Sequence, residues 1–231
     1  MKIKNYLFLV FFCITSISFT QDIKDDFKQE KTRKNAIGFS VGLPGYGIEY
    51  ARSLNDKFNI RLGYTFFNLK DYEINDFKIN DDTANLLINA NNKAYELLFD
   101  YKPFTSSFRL TFGMAYFNNF FVSINSRASD ELNIGDITIS EEKYGYNQIE
   151  ADWSSSIAPY IGIGFGRSIP KRNRLGISLD IGAYYLGSPN SSISSTGLLS
   201  PSEELNRDTI KEGFDDFKII PNLKLKLAYS F

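Results

Sequence analysis

The stretch Leu223–Phe231, LKLKLAYSF, decides the fold. Leu223, Leu225, Leu227, Tyr229 and Phe231 alternate with Lys224, Lys226, Ala228 and Ser230. A period of two places one set on each face of a strand, so this segment is a strand with one apolar and one polar face.

Working outward from it, the same alternation recurs from Asn35 onward and predicts eight strands. They are Ala36–Leu43, Gly47–Leu54, Phe58–Phe67, Lys93–Lys102, Phe108–Phe117, Ser156–Arg167, Arg174–Tyr185 and Phe217–Phe231. Most approach the nine to eleven residues, roughly, that a tilted strand needs to cross a bilayer. Asn55–Lys57, Pro103–Ser107 and Ser168–Asn173 read as short turns, whereas Asn68–Asn92, Asn118–Ser155 and Leu186–Asp216 read as long loops. Short turns at one end and long loops at the other form the pattern of a membrane barrel. The connection Pro44–Tyr46 falls on the loop side yet is short. Gly135–Glu150 is expected to add a strand over Phe120–Ser126, and ten strands result if that loop supplies a spanning hairpin.

Alternation alone does not say which face meets lipid; the polar-face residues do. Glycine falls on the polar set at Gly38, Gly42, Gly63, Gly113, Gly162, Gly164, Gly166, Gly176 and Gly182. Glycine weakens a strand facing water, whereas the concave interior of a narrow barrel has little room for anything larger. The glycine-rich face therefore points inward and the large apolar face outward, into lipid. The inward set also carries Glu49, Arg61, Glu96, Asp100, Arg109, Asp180, Lys224 and Lys226. A lysine or arginine facing lipid at the midplane costs about 2–4 kcal/mol. Several would exceed the roughly 5–15 kcal/mol that holds a domain folded. These charges are thus expected as a structural salt-bridge network in the lumen, with Asp100 and Arg109, either side of the Pro103 turn, as the leading pair.

Aromatic residues mark two edges. Phe58, Tyr101, Phe108, Tyr229 and Phe231 fall towards the turn end, and Tyr64, Phe66, Tyr95, Tyr116 and Tyr185 towards the loop end. Girdles of this kind sit where rings meet headgroups. A last amphipathic strand ending on an aromatic also makes Leu227, Tyr229 and Phe231 the expected signal for the barrel-assembly machinery.

Residues 1–20 read as a secretory signal peptide: Lys2 and Lys4, an apolar Tyr6–Ile14, then small polar residues, with cleavage after Ser18 or Thr20. Residues 21–35 are a polar lead-in and 36–231 the barrel. Phe12 before Cys13 argues against a lipoprotein signal, and removal of the leader removes the one cysteine. The net charge of -1 gives no reason for a nucleic-acid partner. A mean hydropathy of -0.23 argues against a helical membrane protein but not a barrel, in which only alternate residues face lipid.

The stretches GFSVGLPGYGIEYARSLNDKFNIRLGY (Gly38–Tyr64), FDYKPFTSSFRLTFGMAY (Phe99–Tyr116), APYIGIGFG (Ala158–Gly166) and LDIGAYYLGSP (Leu179–Pro189) resemble the small outer-membrane β-barrels of the outer membrane protein A-like superfamily. The resemblance spans residues 36–231 and implies an all-β, eight-stranded antiparallel up-and-down transmembrane barrel in the cell outer membrane. It implies no reaction and no cofactor.

Chemistry is sparse. The sequence has no histidine, the residue that supplies a neutral-pH base to serine or water in most barrel hydrolases. Gly162-x-Gly164-x-Gly166 lacks the lysine and helix of a phosphate loop, and lumen packing accounts for it. Asp71, Glu73, Asn75 and Asp76, then Asp81 and Asp82, suggest calcium, but Asp76 stands where a calcium loop needs glycine. No metal site is expected. Eight strands enclose an interior just filled by side chains, and Tyr160 and Tyr184 add to the charged set there. The expected role is structural or in surface interaction through the loops, as a monomer in outer-membrane lipid. The alternative is a narrow or gated channel for small hydrophobic molecules. A secreted lipocalin-like barrel, apolar inside and polar outside, is disfavoured by the glycines and by Phe231.

Overall fold

The computed structural model describes residues 33–231, apart from 80–81, 105–106, 129–131, 135–136, 140–144, 155, 172 and several positions between 201 and 215. The expected signal peptide and most of the lead-in segment lie outside the described residues.

Among the described residues twelve strands follow in chain order: β1 Asn35–Leu43, β2 Gly45–Ser53, β3 Phe58–Ile79, β4 Asp82–Tyr101, β5 Phe108–Ala128, β6 Leu132–Ile134, β7 Ile137–Ile139, β8 Tyr146–Asp152, β9 Ser156–Phe165, β10 Leu175–Tyr185, β11 Asn190–Ser195 and β12 Ile219–Ser230. Eight of them close a ring in the order β1-β2-β3-β4-β5-β9-β10-β12, and β12 pairs back onto β1. Every pairing in the ring is antiparallel. The chain is an eight-stranded up-and-down barrel; β8 and β11 stay outside the ring, so it does not widen to ten. Among the described residues no helix is long and apolar enough to cross a membrane.

The faces divide as the glycines indicate. Ile161 and Ile177 on the outer face are 74% and 68% exposed, whereas inward Arg61 and Asp100 are 1% and 0% exposed. An exposed belt of isoleucine, leucine and phenylalanine around a charged interior inverts a soluble protein and requires lipid outside. At one edge of the belt Phe58 and Tyr101 stack with centroids 5.1 Å apart; at the other Tyr64 and Tyr95 lie 5.1 Å apart.

Turn chemistry sets the short connections. Asn55 Oδ1 accepts from the amides of Lys57 and Phe58, both at 2.9 Å, closing the β2–β3 turn. Pro44 alone joins β1 to β2, between Gly42 (φ 155°) and Gly45 (φ 148°). A Cβ on Gly42 would strike the Leu223 carbonyl of β12, and one on Gly45 the Phe66 carbonyl of β3, so only glycine fits at either.

The structure departs from the expected long loops at β3, β4 and β5. These run 22, 20 and 21 residues and rise well past the membrane belt. Asn68–Asn92 is therefore mostly the upper β3–β4 hairpin. Above the ring β8 pairs with Phe121–Arg127 of β5, and β11 pairs with β8, giving a raised sheet in the order β11-β8-β5-β4-β3. The added strand over β5 is thus Tyr146–Asp152, shorter than the expected Gly135–Glu150. The apolar parity flips on leaving the membrane. On β4, Phe99, Leu97 and Tyr95 face outward below, whereas Ala90, Ile88 and Leu86 continue the inward parity above, with Asn91, Asn89 and Asn85 outside. Register aligns Tyr72, Ile88, Ile124, Ile149 and Ile193 in one row across five strands. The acidic run from Asp71 to Asp76 lies in β3 rather than in a loop. Register shifts flank both aspartates, whose φ angles are 50° and 56°, and their amides donate to Asn89 and Asn85 at 2.8 and 3.2 Å.

Candidate functional site

Glu96 and Lys224 pair separately, and the other six inward charges form one connected network, three acids with three bases. Arg61 on β3 is the hub of that network: its guanidinium reaches Glu49 on β2 at 3.0 Å, Asp100 on β4 at 3.1 Å and Asp180 on β10 at 2.8 Å. Arg109 on β5 pairs with Asp180 and donates to the Gly166 carbonyl. Lys226 on β12 reaches Glu49 at 2.6 Å and Asp180 at 3.6 Å. The leading pair read from sequence is secondary. Asp100 and Arg109 are 3.5 Å apart, whereas Arg61 is nearer to Asp100, and Thr111 and Ser168 hydroxyls donate to its two oxygens at 2.8 and 2.7 Å.

One level up, Glu96 on β4 and Lys224 on β12 meet at 2.5 Å. The Thr65 and Tyr184 hydroxyls also donate to Glu96, at 2.7 and 3.0 Å. A buried carboxylate with its lone pairs occupied and its charge matched avoids the large cost of an unpaired buried ion. Above this level the interior turns aromatic. Tyr160 and Tyr184 have centroids 4.7 Å apart, and Phe117 meets Tyr184 edge-on at 5.4 Å. Ala94, Leu98, Ala115 and Ala158 complete that cluster, and Phe120, Leu186 and Ile220 cover it. The glycines answer these bulky groups: Gly164 faces the Arg109 guanidinium, and Gly162 and Gly182 face the Tyr160 hydroxyl.

Sequence reasoning counted Tyr160 and Tyr184 inward but missed the aromatic level as a unit; the inward parity of Phe117 is the signal that was available. It also missed a basic turn end. There Arg33, Lys57, Lys102, Arg167 and Lys171 surround a cavity of about 360 Å³. Burial, and then the neighbouring charge of Lys171, push the Lys102 pKa down, while its ammonium lies 3.1 Å from Asn59 Oδ1. The expected assembly residues Leu227, Tyr229 and Phe231 are exposed on the outer face, beside the β12–β1 seam. No group of carboxylates among the described residues has the arrangement of a metal site.

No protein-family model matches the chain, and no curated protein matches it significantly. Among solved structures it is similar to CarO of Acinetobacter baumannii, with a TM-score of 0.61 and 21% identity over 88% of this chain and 100% of that one. It is also similar to CarO2 of the same organism, with a TM-score of 0.64 and 20% identity over 87% of this chain and 100% of that one. At these identities the likeness is one of fold: an eight-stranded transmembrane β-barrel of the small outer-membrane kind.

Proposed function

We propose that this protein is a non-enzymatic monomer of the outer membrane whose lumen is plugged, and that it acts through the sheet raised on its extracellular side. The observation that carries the reading is a pair of bridges across the barrel. Arg61–Asp180 joins β3 to β10 and Glu96–Lys224 joins β4 to β12, each four places apart in a ring of eight. Opposite walls within hydrogen-bond distance leave no room for a solute between them. The four acids balance the four bases, so the lumen presents a passing ion with no net charge of either sign.

The leader at residues 1–20 directs export, and Leu227, Tyr229 and Phe231 are read by the assembly machinery before β12 seals onto β1. The raised sheet then presents Asn89, Asn125, Gln148 and Glu150 on its outer face, a polar surface suited to surface partners. Proteoliposome swelling tests the plug. Vesicles carrying the folded protein should swell in arabinose or glycine no faster than empty vesicles; swelling that scales with protein content overturns the reading in favour of the channel.

A further inference from the structure

The connection Pro44 is the lowest point of an otherwise high rim, and a cavity of about 300 Å³ opens behind it at the loop end of the barrel. Leu43, Phe67, Phe120, Ile220 and Pro221 form its apolar walls, and among the described residues no charged side chain lines it. It has a floor, because Phe120 and Ile220 pack onto the Phe117–Tyr184 cluster. At the wall stands Asn92, only 1% exposed. Its amide nitrogen donates to the Pro44 carbonyl at 3.0 Å, while Oδ1 has no hydrogen-bond partner among the described residues. The Pro44 carbonyl can only accept, so it fixes which way the amide points and leaves the acceptor unused. Buried acceptors are ordinarily satisfied, and one left open at the wall of an apolar cavity fits a missing donor.

We propose that this cavity binds a small, uncharged, apolar molecule, a mono- or bicyclic aromatic with one N–H or O–H donor, held by Asn92 Oδ1. The absence of charge in the walls selects a neutral ligand, and the open acceptor selects a donor. Binding needs no passage through the barrel, so the site stands whether or not the lumen conducts. Its walls come from β1, β2, β3, β4, β5 and β12 at the mouth, and Asn91 is the lining residue that belongs to the outward parity of β4. The glycines at positions 42 and 45 keep the notch narrow, because a side chain at either would collide with β12 or β3 and push the turn away from Asn92.

Indole and 1-methylindole, identical but for the donor, are the probes. Equilibrium dialysis of the folded protein in detergent micelles, with empty micelles subtracted, should give saturable one-to-one binding of indole. 1-Methylindole should bind roughly three- to tenfold more weakly, the value of one hydrogen bond. Asn92→Leu should erase that difference, and Ala90→Trp, which fills the cavity from β4, should abolish binding of both. The gel shift of unboiled protein establishes that each variant is folded. Should Asn92→Leu not fold, the Asn92 side-chain amide resonance of the wild type should move on titration with indole and not with 1-methylindole. No saturable binding over empty micelles, equal affinity for the two probes, or binding that survives Ala90→Trp each overturns the proposal.

Discussion

Arg61 Nη1 and Asp180 Oδ2 lie 2.8 Å apart although their strands, β3 and β10, stand on opposite sides of the ring. Arg61 also neutralises Glu49 and Asp100, so its removal leaves three buried carboxylates with only Arg109 and Lys226 to balance them. Arg61→Met should lower stability by about 3–5 kcal/mol, the cost of breaking a buried pair from one side. The bridge between Glu96 and Lys224 gives the complementary result. Glu96→Leu with Lys224→Met should cost less than either change alone, because neither charge is left unpaired. Urea unfolding in micelles, followed by the unboiled gel shift, measures both.

The Tyr160 hydroxyl faces Gly182, and a Cβ there would land on it. Gly182→Ala should therefore destabilise by about 1–3 kcal/mol through overpacking. Tyr160→Phe, which removes the hydroxyl, should recover part of that loss when combined with it. Equal losses in the single and double variants would mean that the strand backbone, not the lumen volume, demands glycine at this position.

On β4 the apolar parity reverses between Tyr95 and Asn91, and three lysine substitutions separate the two regimes. Leu97→Lys faces lipid and should cost about 2–4 kcal/mol. Asn89→Lys has the same outward parity above the belt and should cost less, about 0.5–1.5 kcal/mol, for the hydrogen bond its Oδ1 accepts from the Asp71 amide. Ile88→Lys lies inside the row formed with Tyr72 and Ile124 and should destabilise the raised sheet without preventing the barrel from closing. Limited proteolysis, which reads the sheet and the barrel as separate fragments, distinguishes these outcomes.

Lys102 sits among Lys171 and Arg167 at the turn end, half-buried, with its pKa lowered first by burial and then by Lys171. A lysine with a lowered pKa in the folded state gives up its proton more readily there than in the unfolded chain. Its charged form opposes folding below that window, and the penalty fades as pH rises through the folded value towards the ordinary lysine value. The temperature of the gel shift should rise slightly over that alkaline window and with added salt at neutral pH. Lys102→Gln should flatten both responses.

The strands β1, β9, β10 and β12 were legible because each keeps one apolar parity along its whole length, as Leu175, Ile177, Leu179 and Ile181 do. The upper halves of β3, β4 and β5 were not, for a physical reason. Their phase inverts near Asn92 and Asn118, and an asparagine-rich outer face then reads as loop, while the shifts at Asp71 and Asp76 break the period again. The lumen charges were legible as a set because parity alone places them inward. Their pairing was not, because which side chains meet across a barrel depends on strand tilt and stagger, which residue types do not encode. Hence Asp100 lies nearer Arg61 than the Arg109 across its own turn. Asn92 gave no sequence signal at all: its significance lies in the Pro44 carbonyl, 48 residues away along the chain.

Single-channel recording in planar bilayers tests the plugged lumen most directly. The folded wild-type protein should give no steady unit conductance at either polarity, whereas Glu96→Ala with Lys224→Ala, which removes one bridge across the barrel, should give brief flickering openings. Steady, uniform steps from the wild type would contradict the account and make the barrel a pore.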